Sequence, residues 1–435
     1  MIKKVIFVVA SFLLLIPGLN AAVDIQEFET PNGIEVWLVE DHSNPILALQ
    51  MFFLTGSVHD PVEKEGSTYM MMGLLEEGSD DLDAVGFQIE VEELGAIFDF
   101  NTYKEAVAVS AQMITENLDP SVDLLRKALE QPSFDSEPME RVRGQILTNI
   151  DFDEKDPEEI AFDAFIDIMF GDHPLNRKRE GNKTSIPNLT REDIIAAYQN
   201  ALVRGKIVVG ASGDITADQL GELLDGLLGG LPDTTPPVVQ PLSLPQEGHV
   251  EIIDFPTPQS TIVFGHRGLI RNDPDFLMAY VLNEVFGRSG FNSRLQKKLR
   301  VELGLTYGIG SFLSTYQTGG MVMGRMATAN QTVNEAIDAI RQEWAKIANE
   351  GITQEELDTI KMYLKGSYHL RFKTNEDIAG ILAGMQLDNI PASYVKHRND
   401  MIEAIELEDI NRVAKNLFRP EELVFVVVGQ PDTPS

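Results

Sequence analysis

The 435-residue sequence has no cysteine. That excludes disulfides and a lipid-modified cysteine at a processing site, so stability must come from the apolar core. Basic residues are scarce: 35 Lys and Arg stand against 68 Asp and Glu, a formal net charge of −33. Such a surface repels phosphate backbones and argues against a nucleic-acid partner. It either attracts cationic peptides at long range or simply keeps the chain soluble. The seven histidines are scattered. His59 and Glu63 are four apart with His42 nearby, but no second histidine stands at ligand spacing, so no metal is expected in this chain. No Ser-His-Asp or paired-carboxylate arrangement rises above background.

The one clear apolar run lies at the start. Lys3 and Lys4 precede Val5 to Ile16, Pro17-Gly18 break the run, and small residues follow at Asn20-Ala21. This reads as a signal peptide over 1–21, too short to span a bilayer comfortably. The expected destination is export, to a bacterial periplasm in view of the missing cysteines, with no stable membrane anchor. An uncleaved anchor is the alternative.

At 435 residues, with 43% apolar and 24% charged residues, the chain should form two or more globular domains. A stretch over 231–247 contains Pro232, Pro236, Pro237, Pro241 and Pro245. Proline resists helix and central strand, so this is read as an extended linker between domains at 22–230 and 248–435. The halves look alike. Ile194 and Ile410 sit in similar helical patterns, and strands ending at Gly213 and Gly429 follow them. Both pairs share one offset (410 − 194 and 429 − 213, each 216), as a duplication requires. Glu93-Leu94-Gly95 and Glu302-Leu303-Gly304 form a weaker third pair (302 − 93 = 209). Strands are expected at 35–39, 46–54, 250–253 and 261–265. Helices are expected at 67–75, 85–94, 121–129, 138–152, 276–285, 333–349, 354–370 and 376–385. Without regular βαβ alternation the fold class is α+β: two homologous α/β sandwich domains.

Two constellations carry the chemistry. In the first half Gly56-Ser57, Asp60-Pro61, the segment Gly66 to Leu74, and Gly78-Ser79 form one frame. In the second, Ser293-Arg294-Leu295, Leu299-Arg300 and Gly304-Leu305-Thr306-Tyr307 form another, preceded by Gly287-Arg288-Ser289-Gly290. In these features the chain resembles the M16 metallopeptidases, the pitrilysin and mitochondrial-processing-peptidase family, over nearly its whole mature length. Zinc-bearing members carry His-x-x-Glu-His on one helix, two ligands and a general base, with a later glutamate as third ligand. Aligned from both flanks, the histidine positions fall on Tyr69 and Gly73 and the base on Met72. The third ligand falls within Ile146 to Ile150, at Asn149. None of the four can do its former work, and Met70 to Met72 suit a packed core.

The resemblance implies that the second constellation is intact. Arg300 and Tyr307 would bind substrate backbone, and Tyr307 would stabilise an oxyanion. Gly287 and Gly290 would belong to a flexible loop beside the substrate. Ser311 to Ser314 is a candidate edge strand for peptide addition. The expected role is therefore the non-metal subunit of a heterodimeric zinc endopeptidase acting on unfolded peptides, with zinc held by the partner chain. The alternative is an inert peptide-binding or scaffold protein.

Overall fold

Two sheets with one strand order organise the chain. The computed structural model describes residues 24–432 except 81, 236 and 289, so the expected signal segment, Pro236 and Ser289 lie outside the described residues. The strands of the first sheet are β1 (Gln26–Glu29), β2 (Glu35–Glu40), β3 (Ile46–Phe53), β6 (Ile97–Thr102), β7 (Val107–Ile114) and β8 (Ile207–Gly213), with β4 (Gly78–Ser79) and β5 (Leu82–Asp83) forming a small separate hairpin. Their order is β1-β2-β8-β3-β7-β6. The second sheet comprises β9 (His249–Asp254), β10 (Gln259–Arg267), β11 (Ile309–Tyr316), β12 (Gly319–Ala329) and β13 (Val424–Gly429), in the order β9-β13-β10-β12-β11. Apart from β1, each strand has its counterpart. β2 with β8, and β9 with β13, are the parallel pairs; the other neighbours are antiparallel. This is the duplication that the equal offsets imply, and it confirms the α+β reading.

The helices of the first half are α1 (Ser67–Met72), α2 (Ala84–Leu94), α3 (Leu118–Glu130), α4 (Ser136–Asp153), α5 (Pro157–Phe170), α6 (Arg191–Ala201) and α7 (Ala217–Leu228). Those of the second are α8 (Phe276–Asn283), α9 (Val333–Glu350), α10 (Gln354–Ser367), α11 (Asn375–Leu387), α12 (Tyr394–Glu403) and α13 (Leu407–Leu417). Capping residues set several starts: Thr190, Thr216 and Thr353 each form a capping box with the residue three positions on. Gly95 and Gly304, from the weaker sequence pair, both adopt positive φ after a helix, at 64° and 66°.

Most helices cover the inner face of their own sheet. Two do not. Strand β13 (Val-Phe-Val-Val-Val-Gly) is buried along its whole length, so both its faces must be covered. The outer cover is α5, from the first half: Phe165, Ile166 and Met169 pack with Val263, Met323, Val424, Val426 and Val428. Reciprocally, α11 from the second half covers the first sheet, where Ile378 and Leu382 pack with Val39 and Trp37. Gly210 in β8 makes this approach possible. A Cβ there would stand 2.2 Å from the Ala379 carbonyl oxygen and 2.6 Å from the Ala383 nitrogen. The halves have thus exchanged helices. Between α7 and β9 the described residues form neither helix nor strand, and Leu242 and Leu244 rest against the α5 cluster.

Candidate functional site

Helix α1 opens at Gly66, whose φ of +85° favours glycine. The buried Asp60 carboxylate organises this start. It accepts hydrogen bonds from the Gly66 amide (3.0 Å), the Ser67 hydroxyl (3.0 Å) and the Thr68 hydroxyl (2.5 Å). Burial pushes its pKa up to about 6, against the pull of those donors. Met70, Met71 and Met72 are fully buried, as the sequence led us to expect.

Tyr69, Met72 and Gly73 face α4, and with Asn149 they line one pocket of about 570 Å³. The four positions picked by flank alignment therefore converge. The Asn149 side-chain oxygen accepts from Gln145 Nε2 at 2.9 Å. The Arg179 guanidinium lies over the Tyr69 ring, 5.6 Å from its centre. A phenol, a thioether, a bare backbone and an amide replace any zinc-binding set. The pocket's one carboxylate among its described lining residues, Glu77, is engaged by Arg141 Nη1 at 2.9 Å. These residues do not fit a zinc ion. Among the described residues, no group of three or more His, Cys, Asp or Glu could hold a metal.

Arg141 and Gln145 also line this pocket and escaped the sequence reading. Their spacing with Asn149, four and eight along α4, was the available signal, since it puts all three on one helical face. Phe100, Asn101 and Thr102 close the pocket from β6, which is an edge strand.

The second constellation lies on the other half and does not line this pocket. Residues Gln296–Glu302 wind as a π-type turn with Leu299 buried inward and Arg300 half-buried. The following loop is pinned by Thr306, whose hydroxyl contacts the carbonyls of Gly308 (2.8 Å) and Ala327 (2.7 Å). Tyr307 projects from this loop with 86% of its surface exposed. Gly287 borders a separate cavity of about 490 Å³, with Gln296, Gly308 and Ser311. A Cβ at Gly287 would stand 2.0 Å from Ser311 Oγ, so packing alone demands glycine there. Gly290 adopts a φ of +61° with open space around it. Ser311 to Ser314 lie on β11, the edge strand of the second sheet.

Arg294 has a structural task. Its guanidinium forks onto Glu356 (Nε 2.7 Å, Nη2 2.6 Å), which also closes the α10 capping box. Partial burial opposes ionisation of Glu356, but Arg294 and the Thr353 amide outweigh it and hold the carboxyl at about 2.

Comparison with known proteins agrees with this architecture. Residues 35–183 match the family described as "Insulinase (Peptidase family M16)", and residues 188–364 match "Peptidase M16 inactive domain". A Helicobacter pylori protein named a non-peptidase homolog is 24% identical over 97% of this chain and 98% of its own length. The beta subunit of the mitochondrial-processing peptidase of Caenorhabditis elegans is also 24% identical, over 92% of this chain and 88% of its own, in a comparison of similar extent. A crystal structure of a peptidase M16 inactive domain from Pseudomonas fluorescens superposes with a TM-score of 0.89 at 25% identity, covering 95% of this chain and 99% of that one. Two tandem domain matches, full-length relatives and a shared fold together place the chain in peptidase family M16, as an inactive-type homologue.

Proposed function

We propose that the chain is the metal-free subunit of a two-chain M16 zinc endopeptidase and lends Arg300 and Tyr307 to a zinc site held by its partner. The observation that carries this reading is Tyr307: a phenol 86% exposed on a loop pinned by Thr306, seven residues after a half-buried Arg300, while the chain's own metal positions are chemically empty. An aromatic residue this exposed has no packing reason to be there. A phenol donor aimed at developing negative charge lowers the barrier to attack on a peptide carbonyl. The substrates would be unfolded peptides, and the place of action the periplasm, in keeping with Lys3, Lys4 and the apolar run behind them. Among the described residues, no helix is long and apolar enough to cross a membrane.

The test is cleavage of an unstructured peptide by this chain alone, with added zinc, and mixed with a zinc-bearing M16 chain. Activity is expected only in the mixture. Tyr307→Phe should lower it on the order of a hundredfold, the usual loss for one oxyanion donor. Cleavage by the chain alone would defeat the proposal. The second reading, an inert peptide-binding or scaffold protein, draws support from the relative named a non-peptidase homolog. It requires that Tyr307→Phe change nothing in any mixture.

A further inference from the structure

We infer that a pocket in the second half, walled by α8, α11, α12 and the turn Tyr368–Arg371, binds a small carboxylate with an apolar body. The pocket holds about 210 Å³ and is unrelated to the vestigial metal position. In a chain with 68 acidic residues it gathers Arg271, Arg371 and Arg398 around one carboxylate, Asp388. Arg271 already neutralises Asp388 at 3.2 Å and covers the Phe276 ring at 4.5 Å. Among the described residues the other two guanidinia form no ion pair within salt-bridge distance.

Arg398 is the decisive residue. It is only 3% exposed. Among the described residues it forms no ion pair; Nη1 reaches the Leu364 carbonyl at 3.2 Å and Asn399 Oδ1 at 3.4 Å, and the group stacks over Tyr368 at 4.3 Å. A buried cation without a counter-ion is costly, so natural proteins pair it. Glu284 lies within electrostatic reach, but its own ion pair is with Arg288 at 3.2 Å. Arg371, exposed at the rim, donates to the Tyr280 hydroxyl at 3.4 Å and forms no ion pair among the described residues.

The remaining lining fixes the ligand class. Tyr368 and Tyr394 also line the pocket, and their phenols can donate hydrogen bonds. Guanidinium forks with phenol donors recognise a carboxylate bidentately. Leu277, Ile381, Met385 and Ile390 offer an apolar wall to the rest of the ligand. A cavity of about 150 Å³ holds benzene, so this pocket has room for a ring and its carboxylate. Ile381, Met385 and Asp388 belong to α11 or its end, the helix lent to the first sheet, so occupancy would brace the seam between halves.

The experiment is isothermal titration of the purified chain with benzoate, benzyl alcohol and inorganic phosphate, paired with thermal unfolding. Benzoate should bind at least tenfold more tightly than benzyl alcohol and raise the unfolding midpoint. Arg371→Gln, a rim change that leaves the fold intact, should weaken benzoate at least tenfold, and Tyr394→Phe should weaken it less. Three results would overturn the site: no benzoate binding, equal binding of benzyl alcohol, or benzoate binding that Arg371→Gln leaves unchanged. Binding of phosphate in preference to benzoate would overturn the ligand class.

Discussion

Gln386, on a helix of the second half, donates its side-chain amide to the carbonyl of Val209 in the first sheet, 2.8 Å away. The opposite end of the helix meets the sheet where Ser212 donates to Asn375 at 3.1 Å. These bonds fasten the exchanged helix α11 across the seam, as α5 is fastened on the other side by apolar packing. Each half thus takes the cover for the outer face of its sheet from the other.

One cooperative unfolding transition follows. The chain's two tryptophans fall one in each half, Trp37 on β2 and Trp344 on α9, so single-tryptophan variants report the halves separately. Leu382→Ala, which empties a fully buried position on α11, should destabilise both reporters together by about 2–5 kcal/mol. Gly210→Ala should act likewise, because its Cβ would collide with the α11 backbone. Urea titrations with separate midpoints for the two reporters would contradict this coupling.

The duplication, and the meeting of Tyr69, Met72, Gly73 and Asn149 at one pocket, were legible in sequence, because equal offsets and flanking landmarks locate elements whatever side chains they carry. The helix exchange was not legible. The apolar face of α11 (Ile378, Ala379, Leu382, Ala383) announces burial but not which sheet it is buried against. Gly210 was the hidden clue, a glycine inside a strand where another backbone approaches. The π-type turns at Glu284–Arg288 and Gln296–Glu302 also escaped, since they keep the apolar spacing of ordinary helix. Arg294 belonged to a recognised motif, yet its partner Glu356 is 62 residues away and nothing local points to it.

Stability should depend on pH through two buried groups that act in opposite directions. His266 is fully buried; its Nδ1 donates to the Arg267 carbonyl at 2.7 Å and its Nε2 accepts from the Trp344 indole at 2.9 Å, which requires the neutral ring. Burial lowers its pKa to about 4 from 6.5. Its stabilisation is present above pH 6.5 and is lost as pH falls through 4, about 3 kcal/mol in all. Asp60, raised from 3.8 to about 6, does the reverse: its contribution is present below 3.8 and is lost as pH rises through 6. Between pH 4 and 6 the two slopes offset one another. Denaturant titrations across that range should show Asp60→Asn losing stability more steeply on acidification than the parent, and His266→Phe less steeply. Parallel curves for all three would refute the assignment.

The Arg294–Glu356 fork should matter for folding and not for turnover. Arg294→Lys keeps the charge but loses the bidentate geometry, and should cost about 1–2 kcal/mol of stability. Cleavage per folded molecule in the two-chain mixture should be unchanged. A loss of activity without a loss of stability would move Arg294 from the frame to the substrate.

The backbone around Tyr69, Gly73 and Asn149 would accommodate metal ligands. Gly73 has helical angles (φ −69°, ψ −10°), and the nearest atoms to an added Cβ are 3.7 Å away, ordinary contact. Tyr69 is half-buried and Asn149 exposed, and both already face the pocket. Tyr69→His, Gly73→His and Asn149→Glu together would supply two imidazoles and a carboxylate, a set that zinc accepts. The triple variant should retain zinc through dialysis and unfold at a higher temperature with zinc than without, while the parent does neither. Met72 must be left in place for this test. It is 1% exposed, and Met72→Glu would bury a carboxylate at the cost of several kcal/mol unless a bound metal neutralised it. The order of substitution therefore matters: Met72→Glu should be tolerated in the zinc-loaded triple variant and should destabilise the parent. A folded triple variant that takes up no zinc would mean that α1 and α4 have moved out of metal-holding register.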